Sequence, residues 1–552
     1  MKKIKRMMSI AIDIILTLGL SNCVFAAPTD TTLKVNPVAG HAYTAYQLFV
    51  GDLSVDGQTK TLSNVKWGSD VKTTAITYNT NKTVTPVVGE AVPQDVLDYF
   101  ASLSGKTATD NAQSTADIIS DFISDSASGT ALSATDTTVT TGYYVIKDTI
   151  ANASDAGNST ISTNVVEVVG PTNVQPKAST VTSEKHVDDQ NDSDSTDLSK
   201  LKDSADYDIG DDVPYTLTFK LPDDYASYDT YYVSFVDDMS AGLTYNGDAK
   251  IFFGEADTNG NELGTAFAVD SQAKSSYTTP SAGKVYKYTI ANLKTDHGSL
   301  AGGSVIKITY TAKLNDSAVI GSAGNPNKYQ VEYSRNPNKD GDGERGTTPW
   351  DTNIVFTYKT VFNKVDQSGD PLTGADFTLY KFIEDENGTD TYNSKKGTWT
   401  DVTTLGDGTN RPSKAIDSYT KGTKTAVNAS FTFSGIDAGV YKLKESKTPT
   451  GYNTLEDQIF TITATHELEA DNPKLTALTG TGGAQFNMTP VMSGTGSDAT
   501  LTGELDADIE NNKGATLPST GGMGTTIFYI IGVVLLAGAA IILVTKRRMN
   551  AE

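Results

Sequence analysis

Cysteine is almost missing from this chain. Cys23 is the only one in 552 residues, and it lies in an apolar leader rather than in the body of the protein. Disulfide stapling, the usual reinforcement of secreted proteins, is therefore excluded. Histidine is scarce as well. The four present, His41, His186, His297 and His466, show no metal-ligand spacing, and neither a metal nor a cofactor is expected. Positive charge is in short supply, with 44 basic against 67 acidic residues and a formal net charge of −23. Seven of the basic residues (Lys2, Lys3, Lys5, Arg6, Lys546, Arg547 and Arg548) crowd the two ends, so the body is more acidic still. Such a surface disfavours nucleic acid and anionic membranes. Sustained helical periodicity is rare. No nucleophile–base set and no phosphate-binding loop stands out, so an enzyme is not expected. Trp67, Trp350 and Trp399 fit packing positions better than a ligand platform.

What is present begins at the ends. The N-terminus places four basic residues before an apolar run from Ile10 to Leu20, with small residues at Ala26 and Ala27. This order predicts a signal peptide over residues 1–27, cut after Ala26 or Ala27. At the other end Ile527–Val544 is an unbroken apolar run, just long enough as a helix to cross a bilayer. Lys546, Arg547 and Arg548 follow it and hold the tail in the cytoplasm. Upstream stands Leu517-Pro518-Ser519-Thr520-Gly521. Together these three parts resemble the LPxTG sorting signal of Gram-positive surface proteins. The resemblance implies that a sortase cuts between Thr520 and Gly521, carries the Thr520 carbonyl as a thioester, and passes it to an amine, leaving the helix behind.

The body is rich in Thr, Gly, Asp, Asn and Tyr, with short alternating apolar segments between turn residues. That pattern predicts a mainly β protein of tandem immunoglobulin-like sandwiches. The divisions fall at 28–170, 171–358 and 359–513, with the sorting segment at 514–552. The first region holds the one convincing helical stretch. Pro93 suits a helix start, and Val96, Leu97, Phe100 and Leu103 form one apolar face. Ile118, Ile119 and Phe122 suggest a second short helix, so this domain is a β domain with a helical insertion.

The last two regions share a plan: a lysine on the first strand, a carboxylate midway, and an asparagine near the end. In 359–513 these are Lys364, Glu445 and Asn511, with Asn512 as the alternative. The segment "YKLKESKTPTGY", through Tyr441, Leu443, Glu445, Pro449, Gly451 and Tyr452, resembles the E-box of Gram-positive pilins and collagen-adhesin B-type domains. The resemblance implies an intramolecular isopeptide bond between Lys364 and Asn511, with Glu445 as catalyst. The chemistry is sound in its own right. Burial lowers a lysine pKa and frees a neutral amine, while a buried carboxyl stays protonated and shuttles protons. Folding holds amine and carbonyl at an effective concentration of about 10⁵ M or more. In 171–358 the corresponding set is Lys185, Asp237 and Asn336. "FVDDMSAGLT" around Asp237 resembles a segment of pilin middle domains, but Arg335 stands where relatives often carry an asparagine, which puts this bond in doubt. Asn336, Asn338, Asp340 and Gly341 also have calcium-loop spacing, with Thr347 where the bidentate glutamate belongs. A Ca²⁺ site there, or in the acidic loop "HVDDQNDSDSTDLSK", stays open.

Lys177, in "NVQPKAS" between the first two regions, resembles the pilin-motif lysine that receives the next subunit. Val174, Pro176 and Lys177 match it. Pro176 fixes its own φ and biases Gln175 toward an extended form, which suits entry into a sortase cleft. Taken with the first region's likeness to fimbrial major subunits, the resemblance implies a backbone pilin. Thr520 of one subunit would be joined to Lys177 of the next, and the fibre finally fixed to peptidoglycan on the surface of a Gram-positive cell. Its partners would be pilin-specific and housekeeping sortases, identical subunits, accessory pilins and host surface ligands. The alternative is a monomeric wall-anchored adhesin, which shares every feature except the need for Lys177.

Overall fold

The computed structural model describes residues 24–56, 59–103, 115–152, 157–176, 179–189, 202–254, 267–268, 285–337, 344–482, 486–494, 499–514 and 524–549. Lys177, the LPSTG segment 517–521, residues 338–343 of the calcium-like loop, most of the acidic loop and residues 1–23 of the leader lie outside these ranges.

The architecture is mainly β. In the first domain the long strand His41–Asp56 lies between Thr59–Trp67 and Gly142–Ile150. The helix Gln94–Leu103 buries Val96, Leu97, Phe100 and Leu103, the face that the spacing predicts. Phe100 sits edge-on to both Phe49 of the sheet and Phe122, which follows the short helix Thr115–Ser120. Two features depart from the expected boundaries. Thr172–Val174 pairs in parallel with Leu33–Val35, so the first domain's sheets reach past residue 170. Val24–Ala26 pairs with Leu53–Val55, and a cut after Ala26 or Ala27 removes this edge strand.

The middle domain stacks two sheets. One runs Thr182–Val187, Asp212–Lys220, Val305–Leu314 and Lys250–Gly254; the other runs Ser204–Asp206, Asp351–Phe356, Asn325–Ser334, Val233–Met239 and Val285–Ile290. Burial along Val305–Leu314 alternates strictly, as expected of a strand with one face on a core. Much of that core is aromatic, including fully buried Tyr215, Tyr225, Tyr228, Tyr231, Tyr329 and Tyr333.

The third domain is again two sheets around one core. Its first strand, Tyr358–Asp366, runs parallel to its last, Thr500–Asn511, in unbroken register from Lys359↔Glu504 to Asp366↔Asn511. Only Thr357, itself buried, separates it from the middle domain's last strand. Beyond the sandwich, the helix Gly524–Met549 contains Tyr529–Arg547, a 19-residue stretch of mean hydropathy 2.3, long and apolar enough to cross a membrane.

Candidate functional site: lysine–asparagine cross-link centres

In the third domain, alternation along the first strand turns Phe362 and Lys364 inward, and alternation along the last turns Leu505, Ala507, Ile509 and Asn511 to the same core. Lys364 is fully buried, and its Nζ donates to the Ile509 carbonyl at 2.6 Å and to Val365 O at 3.2 Å. Burial pushes its pKa down to about 8, against the opposing pull of Glu445, Glu510 and Asp366. Glu445 reaches in from the facing sheet. Its Oε1 accepts the Asn511 carboxamide N–H at 2.8 Å, and its Oε2 accepts the Leu455 N–H at 2.8 Å and the Thr448 hydroxyl at 3.1 Å. The glutamate thus orients the carboxamide from one side while the amine waits two residues along the parallel strand. Asn511 Oδ1 is buried and has no hydrogen-bond partner, a costly state. Asn512 faces solvent, so strand parity selects Asn511.

The middle domain brings Lys185 and Asp237 together as expected. Both are buried, with Nζ to Oδ2 at 2.5 Å. Burial lowers the lysine pKa and raises the aspartate's, with their mutual attraction opposing both shifts. The Tyr310 hydroxyl closes a triangle, 2.8 Å from Lys185 Nζ and 2.8 Å from Asp237 Oδ2. Tyr215 and Tyr310 rings flank the amine.

Asn336 is not in this centre. It lies past the end of strand Asn325–Ser334, whereas the lysine cluster sits at the strand's beginning, beside Asn327. At about 3.3 Å per residue, the seven residues of strand from Asn327 to Ser334 already put roughly 23 Å between the cluster and the turn that holds Asn336. The Arg335–Asn336 turn instead meets the first domain: Arg335 O accepts the Ile161 N–H at 3.1 Å. The asparagines actually placed at the cluster are Asn327 and Asn353, cross-strand partners that are both fully buried. Asn327 Nδ2 donates to the Tyr310 hydroxyl at 2.8 Å, and Asn353 Nδ2 donates to Lys185 O at 3.0 Å. Their Oδ1 atoms lack partners, as does Asp237 Oδ1. A protonated Asp237 has a proton to donate and an asparagine carbonyl has a lone pair to receive it. The signal for Asn353 was topological. It lies on the domain's last strand, as Asn511 does, and that strand runs beside the first: Lys185 N–H donates to Asp351 Oδ2 at 2.7 Å.

The first domain holds a buried relay with no part in these centres. His41 Nδ1 meets Asp148 Oδ1 at 2.7 Å and its Nε2 meets Ser159 Oγ at 2.5 Å. The His41 and Asp148 side chains are sealed from solvent, so the arrangement clamps chain rather than meeting a substrate. It fixes the segment on which residues 179–181 rest, through Thr160 N to Ser179 O at 2.7 Å and Val181 N to Asn158 O at 3.1 Å.

With this geometry in place, comparison with known proteins is informative. Residues 509–551 match the LPXTG cell wall anchor motif, and residues 359–474 match the SpaA prealbumin-like fold domain. The chain thus carries an LPXTG cell wall anchor motif behind a SpaA-type prealbumin-like domain. It is similar to the trypsin-resistant surface T6 protein of Streptococcus pyogenes serotype M6, at 29% identity over 402 residues, covering 62% of this chain and 65% of that one. The chain thus spans just under two thirds of that curated relative. Among solved structures it is similar to the T6 backbone pilin of serotype M6 S. pyogenes (18% identity, 90% of this chain and 100% of that one, TM-score 0.49) and to the major pilin SpaD of Corynebacterium diphtheriae (16%, 89% and 99%, TM-score 0.43).

Proposed function

We propose that this anchored chain is the backbone subunit of a covalent surface pilus, polymerised when a sortase joins the Thr520 carbonyl of one subunit to the Lys177 amine of the next. Supporting Lys177 is its setting. It falls between Val174, hydrogen-bonded into the first domain through Asn36 N, and Ser179–Val181, hydrogen-bonded to Asn158–Thr160. The lysines of the cross-link centres are sealed in cores and closed to a second protein, so Lys185 and Lys364 react within the chain and Lys177 between chains.

The observation that carries this reading is the parallel pairing of the third domain's first and last strands beside an LPXTG anchor. In a polymer, tension enters the first strand and leaves from the last, which shears that pair directly. An amide from Lys364 Nζ to Asn511 Cγ, with loss of ammonia, carries the load past the hydrogen bonds. Glu445 assists by binding the carboxamide and moving protons. In the middle domain the corresponding bond joins Lys185 to Asn353, with Asp237 as the helper acid, and replaces the assignment to Asn336. Covalent locks of this kind supply what a cysteine-free exterior protein lacks.

The test is a blot of cell-wall extracts. A ladder of high-mass species is expected from the wild-type chain and a single wall-linked band from Lys177→Ala. A ladder unchanged by that substitution rejects Lys177 as acceptor. A single band in the wild type rejects the shaft reading in favour of a monomeric adhesin.

A further inference from the structure

At the junction of the middle and third domains, three ligand-type side chains converge that take no part in the cross-link centres. Asp189 follows the strand Thr182–Val187, Asp206 ends the strand Ser204–Asp206, and His466 ends the strand Gln458–His466 of the other domain. One ligand atom from each lies within 4.8 Å of the other two. All three are buried, at 4%, 1% and 8% exposure.

The hydrogen bonds fix which way the histidine presents itself. The Ser204 hydroxyl donates its one proton to Glu467 O at 2.6 Å, so at its 2.6 Å contact with His466 Nδ1 it accepts. Nδ1 therefore carries the ring proton and Nε2 a lone pair. The Nε2 lone pair faces the Asp189 carboxylate at 3.9 Å. Two electron-rich atoms meet there, too far apart to share a proton. Two ligands each about 2.0–2.2 Å from one ion stand as much as about 4 Å apart. The buried Tyr358 side chain lies against the Asp206 and Asp189 carboxylates.

We infer that Asp189, Asp206 and His466 form a divalent-cation site that pins the middle domain to the third. One imidazole nitrogen with two carboxylates suits a borderline ion of the Zn²⁺ class rather than Ca²⁺, which takes oxygen ligands. Lys202, whose Nζ is 3.9 Å from Asp189 Oδ2, is the resident cation that such an ion displaces. The neighbouring carboxylate cluster Asp208, Asp211 and Asp437 differs, because the Lys381 ammonium already fills it. This inference stands apart from the pilus reading, since it rests on the domain junction alone.

The full chain in detergent, stripped with EDTA, is titrated with ZnCl₂ by calorimetry, and bound metal is counted by mass spectrometry. One Zn²⁺ per chain is expected, not displaced by equimolar Ca²⁺ and lost in Asp189→Asn and His466→Gln. Lys202→Ala keeps every ligand and removes the competitor, so it should bind severalfold tighter. Less than one ion per wild-type chain, displacement by equimolar Ca²⁺, ligand variants that bind like wild type, or a Lys202→Ala chain that binds no tighter each overturns the site.

Discussion

Lys364 and Asn511 occupy adjacent parallel strands with both side chains turned into one core, the amine on the Ile509 carbonyl and the carboxamide on Glu445. The parts of an amide-forming reaction are thus assembled by strand parity alone, before any bond exists. Replacing the glutamate tests whether they react. Glu445→Ala should abolish one ammonia-sized mass deficit of the intact protein. If the amide acts as a cross-link closing a loop of more than a hundred residues, its loss costs about 5 kcal/mol. For a domain of this size that lowers the melting temperature by roughly 10–20 °C. A full deficit that persists in Glu445→Ala rejects its catalytic role.

The middle domain makes a sharper prediction, because two positions compete. Asn353→Ala should remove a second ammonia-sized deficit, whereas Asn336→Ala should keep both deficits relative to its own sequence mass. Peptide mapping then identifies the partner of Lys185. A cross-linked peptide containing Asn327 in place of Asn353 shifts the bond across one strand pair; one containing Asn336 contradicts the geometry. Tyr310→Phe removes the hydroxyl that bridges amine and acid and should slow the bond without shifting its position.

The contrast between the two centres shows what the amino-acid sequence can and cannot reveal. Glu445 was legible because its motif is local and Lys364 because it stands on the first strand, whereas the choice between Asn511 and Asn512 stayed open until burial of the last strand turned Asn511 inward and Asn512 out. The apolar face Val96, Leu97, Phe100 and Leu103 was legible because 3.6-residue spacing is written in neighbouring residues. Asn353 was not legible. Its place beside Lys185 depends on the last strand of the sandwich returning next to the first, a relationship across 168 residues. Asn336 looked plausible from the residues around it, yet the same strand carries it to the far end of the domain. The Asp189–Asp206–His466 and Lys381–Asp208–Asp437 groupings likewise draw on two domains, and no spacing within either betrays them.

The depressed pKa of Lys364 has a consequence for pH. Attack needs the neutral amine, so in freshly refolded protein the rate of amide formation should climb with pH and level off above about 8. Stability of an unreactive variant follows the same group. In Asn511→Ala the folded lysine titrates near 8 and the unfolded one near about 10.4. Between these values the unfolded chain binds more protons, so stability rises with pH across that window and the penalty is full below it. Denaturant melts of Asn511→Ala at pH 7 and pH 10 check the sign. A third domain less stable at pH 10 than at pH 7 contradicts a neutral Lys364.

Lys381 supplies the last prediction. From the third domain it donates to Asp208 of the middle domain at 2.6 Å and to Asp437 of its own. Asp208 also accepts the Asp437 N–H at 3.0 Å, and Asp206 accepts the Ala438 N–H at 2.9 Å. One buried ammonium thus serves two carboxylates, and burial together with Asp208 pushes the Asp437 pKa well up. Lys381→Met leaves two carboxylates facing each other without a counter-ion, a change that costs about 3–5 kcal/mol. The loss should fall on the domain junction: proteolysis near Thr357 should accelerate, while the ammonia-sized deficits of both cross-link centres persist. Lys381→Met with Asp437→Asn removes the excess negative charge as well and should recover part of the lost protection. If the single variant resists protease as well as wild type, the two domains are held by their apolar contacts and the ionic latch is dispensable.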